Sequence, residues 1–267
     1  MLIDAFSLRN QTAIVTGAGK GIGKAIAVGL AEQGANVVCV ARTQSDIDQT
    51  VELIRATGAE ALAVCADVTN ESDLSGVVEQ TRDKWDTIDI LINNAGAPGQ
   101  GYGSIKKVDK QRFEDTLAIN LTSAYTLTHL CLPAFNPDRQ ASIVNVSSAL
   151  SWLVDKRFSA YAAAKAGLNQ MTRVMAYELA PRIRVNAIAP GAIETPSTAF
   201  IVENPDLKAK TEKWIPLKRL GTPDDIAHAA LFLASDASSF ISGKIIEIDG
   251  GMQALPGTAI EEVIAAG

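Results

Sequence analysis

Seven short apolar runs, separated by six amphipathic stretches, constrain the fold of this chain more than any motif does. The runs lie at 12–16, 36–41, 61–66, 88–93, 142–147, 183–189 and 244–248, and are rich in valine, isoleucine and alanine. None alternates polar with apolar residues, as a strand with one wet face would. Between them, helical spacing of apolar residues runs through 21–33, 46–57, 72–84, 109–132, 160–179 and 223–234. Strict strand–helix alternation with doubly covered strands predicts an α/β fold, a doubly wound parallel β-sheet of seven strands with helices on both faces. No linker, repeat or low-complexity segment interrupts the pattern, so 1–267 reads as a single domain. One interval, 192–218, shows no clear element. It carries Ile193, Phe200, Ile201, Leu207, Trp214 and Ile215, and a long irregular apolar segment in such a domain reads as a substrate lid.

Charge and composition remove several function classes. The net charge is −6, which argues against nucleic acid as the main partner, because phosphate binding requires a basic surface. Cys39, Cys65 and Cys131 stand far apart in apolar contexts and read as buried thiols of a reducing, cytoplasmic setting. The two histidines, His129 and His228, fall in helical patterns, so neither a Ser-His-Asp triad nor a metal site is expected. The first ten residues include Asp4 and lack an apolar run, unlike a signal peptide. No run approaches the ~20 apolar residues that span a bilayer.

The first strand runs into Thr16-Gly17-Ala18-Gly19-Lys20-Gly21-Ile22-Gly23, and a helix follows. Glycines there let the backbone turn sharply and let a pyrophosphate approach, while the helix N-terminus offers free N–H groups. A purely structural turn would look similar; its place between the first strand and a helix favours dinucleotide binding. The end of the second strand bears on the choice of cofactor. An acid there would hold the ribose hydroxyls of NAD(H). This chain has Val40-Ala41-Arg42-Thr43, with no acid before Asp46. Arg42 can clasp a 2′-phosphate, and Lys20 can add a second cation. If they are not simply solvated charges, the pair favours NADP(H) over NAD(H).

Tyr161 and Lys165 stand four apart in a helical pattern and so share a face. An ammonium beside a phenol lowers its pKa and would make the pair a proton relay for a hydroxyl or carbonyl. Alone, the same spacing occurs in ordinary surface pairs.

With these segments in order, the chain resembles the classical short-chain dehydrogenase/reductase family from about residue 8 to residue 251. Besides the glycine turn and the Tyr161–Lys165 pair, the resemblance rests on Asp67-Val68, Asn93-Asn94-Ala95-Gly96, Asn120, Asn145-Val146-Ser147-Ser148, and Pro190-Gly191 with Ile193 and Thr195. It implies a Rossmann-like fold and a catalytic set of Ser148, Tyr161, Lys165 and Asn120. Ser148 would bond the substrate oxygen and Tyr161 would pass the proton. Lys165 would hold the nicotinamide ribose, and Asn120 a water linking Lys165 to solvent. The cofactor would lie along Gly17, Gly19, Lys20, Gly21, Ile22, Gly23, Arg42, Asp67, Val68, Asn94, Ala95, Gly96, Tyr161, Lys165, Pro190, Gly191, Ile193 and Thr195. A homotetramer is implied, with no membrane and no nucleic acid.

The substrate is less legible. Tyr102 in a glycine-rich segment, Trp152 after the candidate serine, and Phe200 and Trp214 in the lid would form an apolar mouth. Such a mouth suits a small-molecule alcohol or ketone, apolar or cyclic, with steroid-like ketones among them. The alternative is a 3-oxoacyl thioester delivered by an acyl-carrier protein, docked on Lys106, Lys107, Lys110 and Arg112. A non-catalytic dinucleotide-binding protein is the remaining reading, and it would be expected to have lost Tyr161 or Lys165.

Overall fold

All seven expected strands form: β1 (Thr12–Thr16), β2 (Asn36–Ala41), β3 (Ala61–Cys65), β4 (Ile90–Asn93), β5 (Ala141–Val146), β6 (Ile183–Pro190) and β7 (Ile245–Ile248). In the computed structural model, which describes residues 3–252, they make one parallel sheet in the order β3-β2-β1-β4-β5-β6-β7. Successive side chains of a strand point to opposite faces, and here both faces are covered. Ala13 and Val15 of β1 enter one core with Val37, Cys39, Ile90 and Ile92. Ile14 enters the other with Val38, Val40 and Leu91. That is why the runs are apolar throughout.

Helices α1 (Gly21–Glu32), α2 (Gln44–Ala56) and α9 (Pro223–Ala234) close the first core through Ile26, Ile47 and Ile226. On the opposite face lie α3 (Glu71–Trp85), α4 (Lys110–Leu117), α5 (Ser123–Cys131) and α6 (Ser159–Glu178), and α3, α5 and α6 line the second core through Leu74, Leu127 and Met175. Because β4 follows β3 in the chain but pairs with β1, the strand order reverses between β1 and β4. A crevice opens at the carboxyl ends of strands at such a point, and Gly17 and Asn94 lie just beyond those two strand ends.

Three expectations need correction. The stretch 109–132 is not one helix. It is α4, a π-helical turn over Ala118–Thr122, and α5. Asn120 in that turn donates from Nδ2 to Thr116 O at 2.9 Å and to Ala97 O at 2.8 Å, and a side chain that binds backbone carbonyls competes with the regular ladder. Nor is 192–218 without regular structure: it holds α7 (Ala199–Val202) and α8 (Pro205–Trp214). Asn204 caps α8 by accepting from Leu207 N at 3.1 Å, and Pro205 fills the first position. Polar spacing inside α8 hides it from a periodicity search, although Asn-Pro is a start signal. Finally, Cys65 is exposed, while Cys39 and Cys131 are buried.

Candidate active site

Gly17 and Gly21 occupy left-handed backbone at φ 67° and 53°, which explains two of the glycines. Crowding explains others. A Cβ on Gly17 would lie 2.7 Å from Asn94 Nδ2, and one on Gly23 would meet the carbonyl oxygen of Gly17. Thr16 and Asn94 lock this turn to the end of β4. Asn94 N and Ala95 N both donate to Thr16 Oγ1 at 3.0 Å, and Asn94 Nδ2 donates to Thr16 O at 2.8 Å. Lys20 stands at the N-cap of α1 with no side-chain cap bond. The first-turn N–H groups of α1 lie beside a backbone that side chains cannot crowd, and this fits a dinucleotide pyrophosphate.

At the far end of that cradle Arg42 is exposed. Lys20 is not a free cation, since its Nζ lies 2.9 Å from Asp46 Oδ2. Asp67 accepts from Thr69 N at 2.9 Å and from Thr69 Oγ1 at 2.7 Å. Those two bonds, with the Arg42 charge as a weaker cause, hold its carboxyl below the ordinary aspartate range against the effect of burial. Val68 is buried beside it. Across the crevice, β6 ends at Pro190 and Gly191 packs on Asp249. Ile193 is buried. The side chain of Thr195 stands over Gly21, where an added Cβ would lie 3.4 Å away.

The four candidate catalytic residues converge. Tyr161 and Lys165 lie on α6, Ser148 just beyond β5, and Asn120 in the π turn. The Ser148 hydroxyl neighbours that of Tyr161 closely enough to favour its ionised form. Lys165 Nζ lies 5.7 Å from the Tyr161 ring centre and donates to Val146 O at 2.7 Å. Gly96 fits over both Lys165 and Asn120: a Cβ there would lie 2.6 Å from Asn120 Oδ1 and 3.1 Å from Lys165 Nζ. Asn120 Oδ1 is buried and has no partner among the described residues. Asn120 and Lys165 also line a cavity of about 10 Å³ with Thr16, Asn93 and Ala95, roughly the space of one water.

Electrostatics here differ from the expected pair. Burial, the largest influence, raises the Tyr161 pKa, and the bond from Ser148 offsets only part of that. Burial also lowers Lys165 to about 7. An ammonium that is itself costly to keep charged stabilises a phenolate weakly.

The substrate residues do not form one wall. Tyr102 packs edge-on to Phe158 at 4.9 Å between ring centres, and Phe158 lies 6.3 Å from Tyr161. Trp152 lines a separate cleft of about 470 Å³ between α6 and β7, with Arg173, Lys244 and Glu247. Phe200 and Trp214 stand on α7 and α8. Sequence reasoning overlooked Phe158 and the hydroxyl of Thr16. An aromatic three residues before Tyr161 was the available signal for the first. Nothing local marks the second.

The sequence model of the family described as Enoyl-(Acyl carrier protein) reductase matches residues 17–253. The chain belongs to the classical short-chain dehydrogenase/reductase family. Among the similar members is an uncharacterized oxidoreductase of Mycobacterium tuberculosis, 39% identical over 253 residues, covering 94% of this chain and 95% of that protein. The 3-oxoacyl-(acyl-carrier-protein) reductase FabG of Thermotoga maritima is 36% identical over 246 residues, covering 92% and 98%. A solved 7 alpha-hydroxysteroid dehydrogenase, complexed with NADH and 7-oxo glycochenodeoxycholic acid, superposes with a TM-score of 0.88 at 35% identity, covering 94% of this chain and 97% of that one. The NADP complex of Pseudomonas aeruginosa RhlG superposes with a TM-score of 0.87 at 31% identity, covering 93% and 98%. As a member of this family the chain is an oxidoreductase of nicotinamide-dinucleotide type, and no helix among its described residues is long and apolar enough to cross a membrane.

Proposed function

We propose that this family member is an NADP(H)-dependent carbonyl reductase, or alcohol dehydrogenase in the reverse direction, acting on an apolar or cyclic ketone. The observation that carries the reading is the convergence of Ser148, Tyr161, Lys165 and Asn120 beside the glycine turn. When bound, the nicotinamide dinucleotide supplies the hydride. The chain's residues hold the reactants and move the proton. Ser148 donates a hydrogen bond to the substrate oxygen, and the neighbouring Tyr161 hydroxyl gives that oxygen its proton. Lys165 Nζ, held on Val146 O, would bind the nicotinamide ribose through its hydroxyls. The small cavity beside Asn120 Oδ1 has the size and polarity for a water that returns a proton to Lys165.

The phosphate preference rests on Arg42, with Lys20 contributing once it leaves Asp46. The relatives named above span both cofactors: one is complexed with NADH and another with NADP. The substrate class rests on the aromatic run Tyr102–Phe158–Tyr161 and on apolar residues of α7 and α8, with 192–218 acting as the lid of a single 1–267 domain. Exposed Tyr125, Tyr177 and Phe240 suit helix and last-strand contacts of a cytoplasmic homotetramer. An acyl-carrier substrate is the second reading, favoured by the likeness to FabG. Of its proposed docking cations, Lys110 and Arg112 already face Glu114 at 3.4 Å and Asp109 at 3.9 Å.

The deciding experiment follows oxidation of NADPH and NADH with a panel of steroid ketones, 3-oxoacyl thioesters and small diketones. Turnover confined to cyclic ketones with NADPH is expected. Turnover confined to acyl thioesters would select the second reading, and turnover of none would overturn both.

A further inference from the structure

Tyr161, Lys165 and Asn169 follow one another at four-residue steps on α6 and share a face. The first two have places in the proposed reaction. Asn169 has none, yet it is buried, at 8% exposure. Its Nδ2 donates to Ser151 Oγ at 2.7 Å, and Ser151 Oγ donates to Ser148 O at 2.7 Å. That sequence of bonds sets the amide's orientation. The single hydroxyl proton of Ser151 is committed to the Ser148 carbonyl, so Asn169 must present its nitrogen. Its Oδ1 is left buried with no partner among the described residues. A half-satisfied buried amide costs stability that an apolar side chain of similar bulk would not.

The bond made by Nδ2 reaches a place where no other bond among the described residues does the same work. Ser148 and Tyr161 sit on different elements, so their separation depends on what ties the serine turn to α6. Bonds inside the turn, Ser151 N to Ser148 O at 3.0 Å and Leu153 N to Ala149 O at 2.9 Å, shape it but do not reach the helix. On the strand side of Ser148, Ser147 Oγ donates to Lys165 O at 3.3 Å and Lys165 Nζ to Val146 O. On the other side the tie is Asn169 to Ser151. Ser148 is thus bracketed by two anchors on the helix that carries Tyr161.

We propose that Asn169 is a positioning residue that, acting through Ser151, fixes Ser148 relative to Tyr161. The proposal rests on the reading of Ser148 and Tyr161 as the reacting pair. Asn169→Leu removes both the donor and the unpartnered oxygen while keeping the bulk, and Ser151→Ala removes the other end of the brace. With a ketone from the panel, kcat should fall about tenfold in each variant, because small misplacements of reacting groups are costly. The dissociation constant for NADPH should be unchanged in both. The Tm of Asn169→Leu should equal or exceed that of the unaltered protein, whereas Ser151→Ala, which strands the amide, should lower it. The double variant should be no slower than the slower single one, since both act through one chain of bonds.

A readout without substrate completes the test. In protein labelled with ¹³C at the tyrosine Cζ, the Tyr161 resonance, assigned by its loss in Tyr161→Phe, should titrate at higher pH in both single variants, because the Ser148 hydroxyl that favours the phenolate is no longer held beside it. Unchanged kcat and unchanged titration in Asn169→Leu would overturn the brace. So would a loss of kcat accompanied by an equal loss of Tm and simple additivity in the double variant. If the unaltered protein turns over no ketone, the functional proposal fails, and the tyrosine titration alone decides the brace.

Discussion

Lys165 and Asn120 are 3% and 2% exposed, whereas Tyr102 and Phe200, assigned to the same site, are 49% and 64% exposed. The first pair is held from several sides, by Val146 O, Thr116 O, Ala97 O and the close approach of Gly96. Phe200 sits on the four-residue helix α7, none of whose residues is buried. Chemistry and selectivity are therefore built from different physics. Proton transfer requires groups fixed to a fraction of an ångström, and burial with hydrogen bonds supplies that. Recognition of an apolar ligand gains most from surface that is still wet and can be covered.

The largest effect that could break this contrast lies in the buried half. Tyr161→Phe keeps the ring on Phe158 and removes the proton; turnover should fall about 10²–10⁴-fold with NADPH binding retained. Steady-state kinetics beside a fluorescence titration of NADPH would check it, and near-normal turnover would contradict the assigned role.

Next is Lys165→Met, which should abolish measurable turnover and also change how stability follows pH. Folded Lys165 gives up its proton at about 7, while an unfolded lysine keeps it to about pH 10.4. Across that window the unfolded chain binds more protons, so the residue's contribution to stability rises with pH from about 7 to about 10.4 and is lost as pH falls back across that window. Melting curves from pH 7 to 10 should therefore show the Tm of the unaltered protein gaining on that of Lys165→Met as pH rises. Parallel curves would mean that the lysine is not desolvated.

A smaller shift is expected at the cofactor rim. Arg42→Asp should move the ratio of NADPH to NADH affinities by at least about tenfold toward NADH, from loss of charge-assisted bonds. Calorimetry with both cofactors measures it, and an unmoved ratio would take Arg42 out of the phosphate site. The smallest effect belongs to the exposed half. Phe200→Ala should raise KM for a bulky ketone a few-fold and leave that of a small diketone unchanged. Equal changes for both substrates would show that α7 does not cover the ligand.

The two halves also differ in how well they could be read in the sequence. The glycine turn and the Tyr161–Lys165 pair each lie at a strand end or on one helix face, where spacing alone specifies geometry, whereas Asn93 to Gly96 and Ser148 were legible only through the family resemblance. Asn120 was legible only through the family resemblance, because the π turn that aims it inward departs from helical periodicity. The regular structure within 192–218 escaped the periodicity because α8 is polar and short. The Lys20–Asp46 pair, the Phe158 bridge between Tyr102 and Tyr161, and the Trp152 cleft join residues far apart in the chain or on different elements, and no local signal marks them.

The sequence by itself determined the strand–helix alternation, the doubly buried parallel sheet, the place of the crevice and the pairing of Tyr161 with Lys165 on one helix. Each follows from periodicity, from glycine positions or from residues on one element. Tertiary structure alone decided the direction in which each member of that pair is shifted. Lys165 was expected to pull Tyr161 down, but burial pushes the phenol up and the lysine down to about 7. The cost of removing a charge from water depends on what surrounds it in three dimensions. Those surroundings are assembled from β4, β5, the π turn and α6, which meet only when the sheet is formed.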